Sequence, residues 1–238
     1  MSTRTIGRTV GALFLLAFAV YGAGGALVDS GTAATEVLSG VINHQTQIAA
    51  GAMLMLLNSV VVIGIGVLVF PVLKPRHEIT AYAYLVTRIV EAVLLAVGTL
   101  CLLLLIPLAQ AYVDAGASAG SVLPSLAAVA QEGNQYALHI GMIGLGLGGL
   151  LFCRALFQAR LVPRSLAVLG IVGYPALAAG ELLGVLGYDV GLVHYAPGLL
   201  FEVALGVLLL VKGFPARQDP RGPASAVFDP RREALHVT

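Results

Sequence analysis

Six runs of apolar residues, each about 20 long, dominate this sequence, near 8–28, 47–70, 79–107, 133–158, 164–186 and 195–213. A helix rising ~1.5 Å per residue needs about 20 such residues to cross the ~30 Å hydrocarbon core of a bilayer. Backbone in lipid must satisfy its own hydrogen bonds, which leaves the helix as the economical spanning element. The expected fold is therefore all-α, a polytopic six-transmembrane-helix bundle. Of the 238 residues, 58% are hydrophobic and only 11% charged, too little charge for the polar shell of a soluble domain this size. A net charge of +1 gives no basis for nucleic-acid binding. The bilayer is the first expected partner.

Punctuation between the runs agrees with six spans. Pro71 and Pro75 are expected to close the second and Pro107 the third, while Pro163 precedes the fifth and Pro197 fits the first turn of the sixth. The start, MSTRTIGRTVGALFLLAF, has the look of a secretory signal. Its apolar run continues to Val28, so a retained first helix is the expectation. Residues 1–214 are read as the transmembrane domain. The Pro-rich, charged stretch 215–238 is read as a disordered cytoplasmic tail.

Direction follows from the basic residues. Arg4 and Arg8, Lys74 and Arg76, Arg154, Arg160 and Arg164, Lys212 at the end of the sixth span and the four arginines beyond it all fall on one side, which is 12 of the 13 Lys and Arg. The other side carries Asp29, Glu36, Asp114, Glu132 and Asp189. The positive-inside rule then predicts that both termini are cytoplasmic. Two loops on the acidic side look like more than tethers. In GTAATEVLSGVINHQTQ, Ala34, Val37, Leu38, Val41 and Ile42 recur at helical spacing, predicting a short amphipathic helix at the interface. SVLPSLAAVAQEG, residues 121–133, reads the same way.

The thirteenth basic residue, Arg88, lies in the third span, roughly 13–15 Å from its basic end, with Glu91 one turn further. A charge at that depth needs a partner and marks a functional position. His139 in the fourth span, Glu181 in the fifth and Glu202 in the sixth are expected in the same half of the bilayer, and Asn58 near mid-depth in the second. Each deep charge has a polar companion at helical spacing on its own face: Tyr84 with Arg88 and Glu91, Tyr136 with His139, Tyr174 with Glu181, Tyr195 with Glu202. Such faces turn inward, so Arg88, Glu91, His139, Glu181 and Glu202 are the candidate catalytic set. Asn58, Tyr84, Tyr136, Tyr174 and Tyr195 are the candidate cavity lining. Three glutamates face one arginine and one histidine. Glu181, Glu202 or both are expected to hold a proton at neutral pH unless a cation sits there, and a protonated carboxyl in an apolar cavity suits general-acid chemistry.

Other signals carry less. Gly144, Gly146 and Gly149 have dinucleotide-loop spacing, but no strand precedes them, so close helix packing is the reading. Pro175 is expected to kink the fifth helix. His44, His139 and His194 lack the spacing of a metal motif, and Cys101 and Cys153 sit inside apolar runs. No metal and no cofactor is expected.

Several stretches, RTIGRTVGALFLLAF, DSGTAATEVLSGVI, TRIVEAVL, ALFQARLVPRSLAVLGIVGY and FEVALGVLLLVKGF, together resemble a bacterial membrane family catalogued as domain-of-unknown-function family 4386. The resemblance extends to Phe214. It implies a six-helix protein of the bacterial plasma membrane in which Arg88 and Glu202 match typical polar positions. Family members often carry a histidine deeper in the fourth helix; this chain has glycine there, near Gly148, and its histidine at His139. The family name supplies no activity.

Three functions compete. An intramembrane enzyme would admit a lipophilic molecule, an isoprenoid or other lipid, and use Glu181 or Glu202 as acid, with Glu91 held by Arg88 as counter-base. Isomerisation, cyclisation or hydration would follow. A proton-coupled transporter would use the same carboxylates as a relay, but only a faint similarity links the hairpins 47–107 and 133–186. An accessory module would pair its glycine-rich faces with another membrane protein.

Overall fold

Helix Thr3–Thr32 (α1) begins at Ser2, whose hydroxyl accepts from the Thr5 backbone N–H. A short helix Val37–Asn43 (α2) follows, then the second span, Gln45–Leu73 (α3). The third span is Glu78–Leu103 (α4), followed by Leu105–Asp114 (α5). The fourth to sixth spans are Leu123–Gln158 (α6), Arg164–Val185 (α7) and Ala196–Lys212 (α8), the last entered through a 3-10 turn at Val193–Tyr195. This computed structural model describes residues 2–33, 36–117 and 122–215. No strand occurs among them, and six helical stretches are long and apolar enough to cross a membrane. The proposed tail lies outside the described residues, apart from Pro215.

The spans pack in chain order: α1 on α3, α3 on α4, α4 on α6, α6 on α7, α7 on α8. Contact of α8 with α1 closes them into a ring. Its interior is filled by large buried side chains, among them Phe14, Ile65, Tyr84, Phe152, Tyr174 and Phe201. The outside is apolar and open: Val60, Leu147, Val172, Leu200 and Val211 are all exposed. An apolar exterior is what lipid as solvent selects. Where α8 ends, Gly213 takes a left-handed φ of 70°, and a Cβ there would lie 2.5 Å from the Arg4 carbonyl oxygen. That close approach seals the ring between the start of α1 and the end of α8.

At the acidic end a second apolar cluster joins Val28, Leu38, Val41, Ile48, Leu105 and Tyr112. It seats α2 against α5, with the beginning of α6 beside them. The predicted amphipathic helix is thus present as α2. Three expectations change. The described part of the stretch 121–133 is not a separate interfacial helix: from Leu123 it belongs to α6, with Pro124 in the first turn, where a missing N–H costs nothing. Pro107 does not close the third span. The chain turns at Leu104, and Pro107 lies in the first turn of α5. Pro71 lies within α3, which continues to Leu73.

Candidate functional site

Charge enters the ring at two places. The first is its centre. Gly66 of α3 passes close enough that a Cβ would lie 3.1 Å from Arg88 Cβ, so α4 presses Arg88 inward, where it is 2% exposed. The guanidinium is then held by two of its nitrogens, while Nη2 is buried without a hydrogen bond. Nη1 donates to Glu91 Oε2 at 2.9 Å, and Nε donates to the Tyr84 hydroxyl at 2.9 Å. Nη2 faces Glu202 Oε1 of α8 at 3.7 Å. The plane lies over the Phe14 ring of α1, 5.5 Å from its centroid, and the Tyr84 ring at 5.2 Å. Tyr84 itself stacks on Phe152 of α6.

Glu202 is reached from a third direction. The Tyr174 hydroxyl donates to its Oε1 at 2.6 Å. That reach depends on Gly149, whose missing side chain leaves room for the Tyr174 ring; a Cβ there would sit 2.5 Å from it. The glycines discounted as a nucleotide loop therefore do pack helices closely, Gly146 and Gly149 against α7 and Gly148 against Thr87 of α4. One guanidinium thus ties α1, α4 and α8 across the ring, with α6 and α7 attached through Phe152 and Tyr174. Paired and hydrogen-bonded in this way, a buried charge is tolerable; unpaired it is not.

The second place lies toward the acidic end, where α6, α7 and the 3-10 turn meet. Glu181 of α7 is 1% exposed and its two oxygens are taken by two imidazoles. His139 Nδ1 of α6 lies 2.6 Å from Oε2, and His194 Nε2 of the turn 3.1 Å from Oε1. Two glycines one turn apart make this possible. A Cβ on Gly184 would lie 2.6 Å from the His139 ring, and one on Gly180 would lie 2.2 Å from the His194 ring. Glu181 is thus flanked along α7 by two notches, each holding a histidine. Tyr195 lies beside His194, ring centroids 4.4 Å apart.

A neutral imidazole that donates one ring N–H to a carboxylate keeps a lone pair on its other nitrogen. For His194 that atom, Nδ1, is buried with no partner. For His139 it is Nε2, which has no hydrogen-bond partner among the described residues. The His139 side chain is 26% exposed, beside the exposed Tyr136 and Ile140. The dyad therefore leaves one imidazole nitrogen of a partly exposed side chain without a hydrogen-bond partner among the described residues at the α6–α7 junction.

The expected common pocket is therefore two clusters. Arg88, Glu91, Glu202, Tyr84 and Tyr174 form the central one, and His139, Glu181 and Tyr195 belong to the other. Tyr136 joins neither; it is 47% exposed. Asn58 is buried on α3, its Oδ1 without a hydrogen-bond partner. His194 was legible only as a candidate metal ligand, and its role as the second clamp on Glu181 was missed. The signal available was G-E-x-x-G in GELLG: a glutamate between small residues at positions −1 and +3, which leaves room for a bulky neighbour on either side. His44 bonds the Gly40 carbonyl, away from both clusters. Among the described residues, no three His, Cys, Asp or Glu side chains are placed to hold a metal ion.

Among the cavities of the described residues, two lie at the ends of the bundle. One, of about 390 Å³, opens at the basic end between α1, α3 and the turn after α6. The other, of about 280 Å³, lies between α2, α5 and the start of α6. Neither is lined by a residue of the two clusters.

A family model described as a domain of unknown function, DUF4386, matches residues 9–213, and the chain belongs to that family. No curated protein and no solved structure matches the chain.

Proposed function

We propose that this protein is an intramembrane acid–base enzyme acting on a lipophilic substrate, an isoprenoid or similar lipid, with the His139–Glu181 dyad as its proton carrier. The observation that carries this reading is the pairing of a buried carboxylate with His139 Nδ1 while Nε2 is left free at the edge of the ring. A carboxylate in that position fixes the imidazole tautomer and steadies the imidazolium that forms when Nε2 accepts a proton. The His139 side chain is partly exposed beside Tyr136 and Ile140, and in this reading a lipophilic substrate reaches Nε2 at the α6–α7 junction from the bilayer. Nε2, carrying a proton as the imidazolium, gives it to one end of an alkene, the neighbouring carbon becomes cationic, and the neutral nitrogen takes a proton back from the carbon beyond, so the double bond shifts. Such an isomerisation is balanced in atoms and electrons by the dyad and substrate alone.

The central cluster has a different part in this reading. Glu91 and Arg88 are sealed from substrate by the aromatic layer, so the role of counter-base passes from Glu91 to Glu181. Arg88, Glu91, Glu202 and Tyr174 hold the ring together. In this reading the protein resides in the bacterial plasma membrane with both termini in the cytoplasm, which the distribution of its basic residues supports.

An accessory module, without catalysis, is the competing reading. It is favoured by the two cavities lying away from the clusters. Turnover of a membrane lipid extract by the reconstituted protein separates the two. The enzyme reading expects new isomers with the wild type and none with His139→Gln or Glu181→Gln. Identical lipid profiles for all three proteins would leave the accessory reading standing.

A further inference from the structure

We propose that the cavity at the basic end binds a phosphate-bearing group, such as the headgroup of an anionic lipid, through Arg76 and Arg160. The cavity occupies about 390 Å³ at the mouth of the ring, within the range of small-ligand sites. Arg76, Arg160 and Thr3 supply its polar lining, and Ile6, Val72 and Leu161 are among its apolar walls. Among the described residues, no acidic side chain lines it. A site with two guanidinium groups, one hydroxyl and an apolar wall suits a phosphate attached to something greasy.

Two further observations point the same way. Several basic residues at this end are already engaged. Lys74 pairs with Glu78 at 3.8 Å, Arg8 donates to the Val211 carbonyl, and Arg164 lies over Phe157. Arg76 and Arg160 have no carboxylate or side-chain hydrogen-bond partner among the described residues. Among the described residues, no opposite charge meets theirs at the cavity.

The second observation is the backbone at Arg160. Helix α6 ends with the Arg160 N–H donating to the Phe157 carbonyl and the Leu161 N–H to the Leu156 carbonyl. This double closure calls for a left-handed residue at Arg160, and its φ is 50°. Glycine is the residue that fits such a position without strain. The chain instead places an arginine there, and the turn aims it at the cavity. The carbonyl ends of α3 and α6 bring partial negative charge nearby, which two full positive charges outweigh, and the start of α1 brings the opposite dipole. The site is independent of the dyad, because none of its residues touches Glu181 or His139.

The test uses the purified full chain in a neutral detergent. Thermal unfolding and native mass spectrometry are followed with added phosphatidylglycerol, phosphatidylcholine, inorganic phosphate and diphosphate. Phosphatidylglycerol is expected to raise the unfolding temperature and to remain bound, and phosphatidylcholine to do neither. A response to diphosphate without one to phosphatidylglycerol also supports the site and assigns it to a soluble phosphate. Arg160→Gly and Arg76→Gln are expected to lower the apparent affinity about tenfold each. Arg154→Gln removes the same charge outside the cavity and is expected to leave it unchanged. Arg160→Gly also relieves the left-handed strain, so the ligand-free variant unfolds no earlier than the wild type and loss of fold cannot imitate loss of binding. A response to none of the anionic probes overturns the proposal. So does equal binding by wild type, Arg160→Gly and Arg76→Gln, or an equal loss in Arg154→Gln.

Discussion

His139 meets Glu181 across the α6–α7 contact at 2.6 Å, and it does so because Gly184, one turn along from Glu181, leaves the space its ring occupies. The pairing is therefore set by backbone approach, and a single methyl group is enough to break it.

Gly184→Ala tests that dependence. The new Cβ would fall 2.6 Å from the imidazole and turn it off Glu181. Activity should fall about 10²-fold or more, as when a general acid–base group is lost. Helix propensity gained by alanine partly offsets the crowding, so stability should change by no more than about 1–2 kcal/mol. Comparing turnover with unfolding in detergent checks this. Large unfolding without selective loss of activity would make the glycine a packing residue only.

Arg88→Met strands two carboxyl groups around the ring centre. Breaking a buried ion pair on one side costs about 3–5 kcal/mol. Replacing Glu91 and Glu202 with Gln in the same chain should recover most of it, since the partners no longer carry charge. Equilibrium unfolding of the single and triple variants measures the recovery. Lysine should not substitute for Arg88, because an ammonium cannot reach Glu91, Tyr84 and Glu202 in one plane.

Tyr174→Phe removes only the hydroxyl that donates to Glu202 at 2.6 Å. A hydrogen bond to a charged acceptor contributes about 1.5–3 kcal/mol, so stability should drop by that order. Turnover should stay close to that of the wild type, because Tyr174 belongs to the central cluster and not to the dyad. A collapse of activity with unchanged stability would move the chemistry to Glu202.

Sidedness can be read with single cysteines in a chain whose Cys101 and Cys153 are replaced by alanine. Lys74→Cys should react with an impermeant maleimide only after permeabilisation, and Asp189→Cys in intact cells. The reverse pattern would invert the orientation drawn from the basic residues.

Much of the architecture was legible because lipid imposes a simple rule. About 20 apolar residues make a span, and all six were found with their order and rough limits. Their ends were less legible. Proline at 107 has the same one-letter form whether it stops a helix or starts one, and only the turn at Leu104 settles which. The fourth span was read ten residues short because Gln131 to Gln135 is polar, yet the helix runs through it. Rotation between neighbouring helices was not readable. Arg88 with Glu91 followed from spacing alone. The clamp of His139 and His194 on Glu181 did not, because it depends on where Gly180 and Gly184 let two other segments approach.

The most direct test of the account is deuterium transfer. The protein is reconstituted in liposomes with a membrane lipid extract in D2O, and the lipids are examined by high-resolution mass spectrometry. If Nε2 of His139 carries protons to and from carbon, a defined lipid species should gain a carbon-bound deuterium with the wild type and not with His139→Gln. If no species is labelled, or if labelling is the same in both proteins, the dyad does not move protons on lipid carbon and the central claim is wrong.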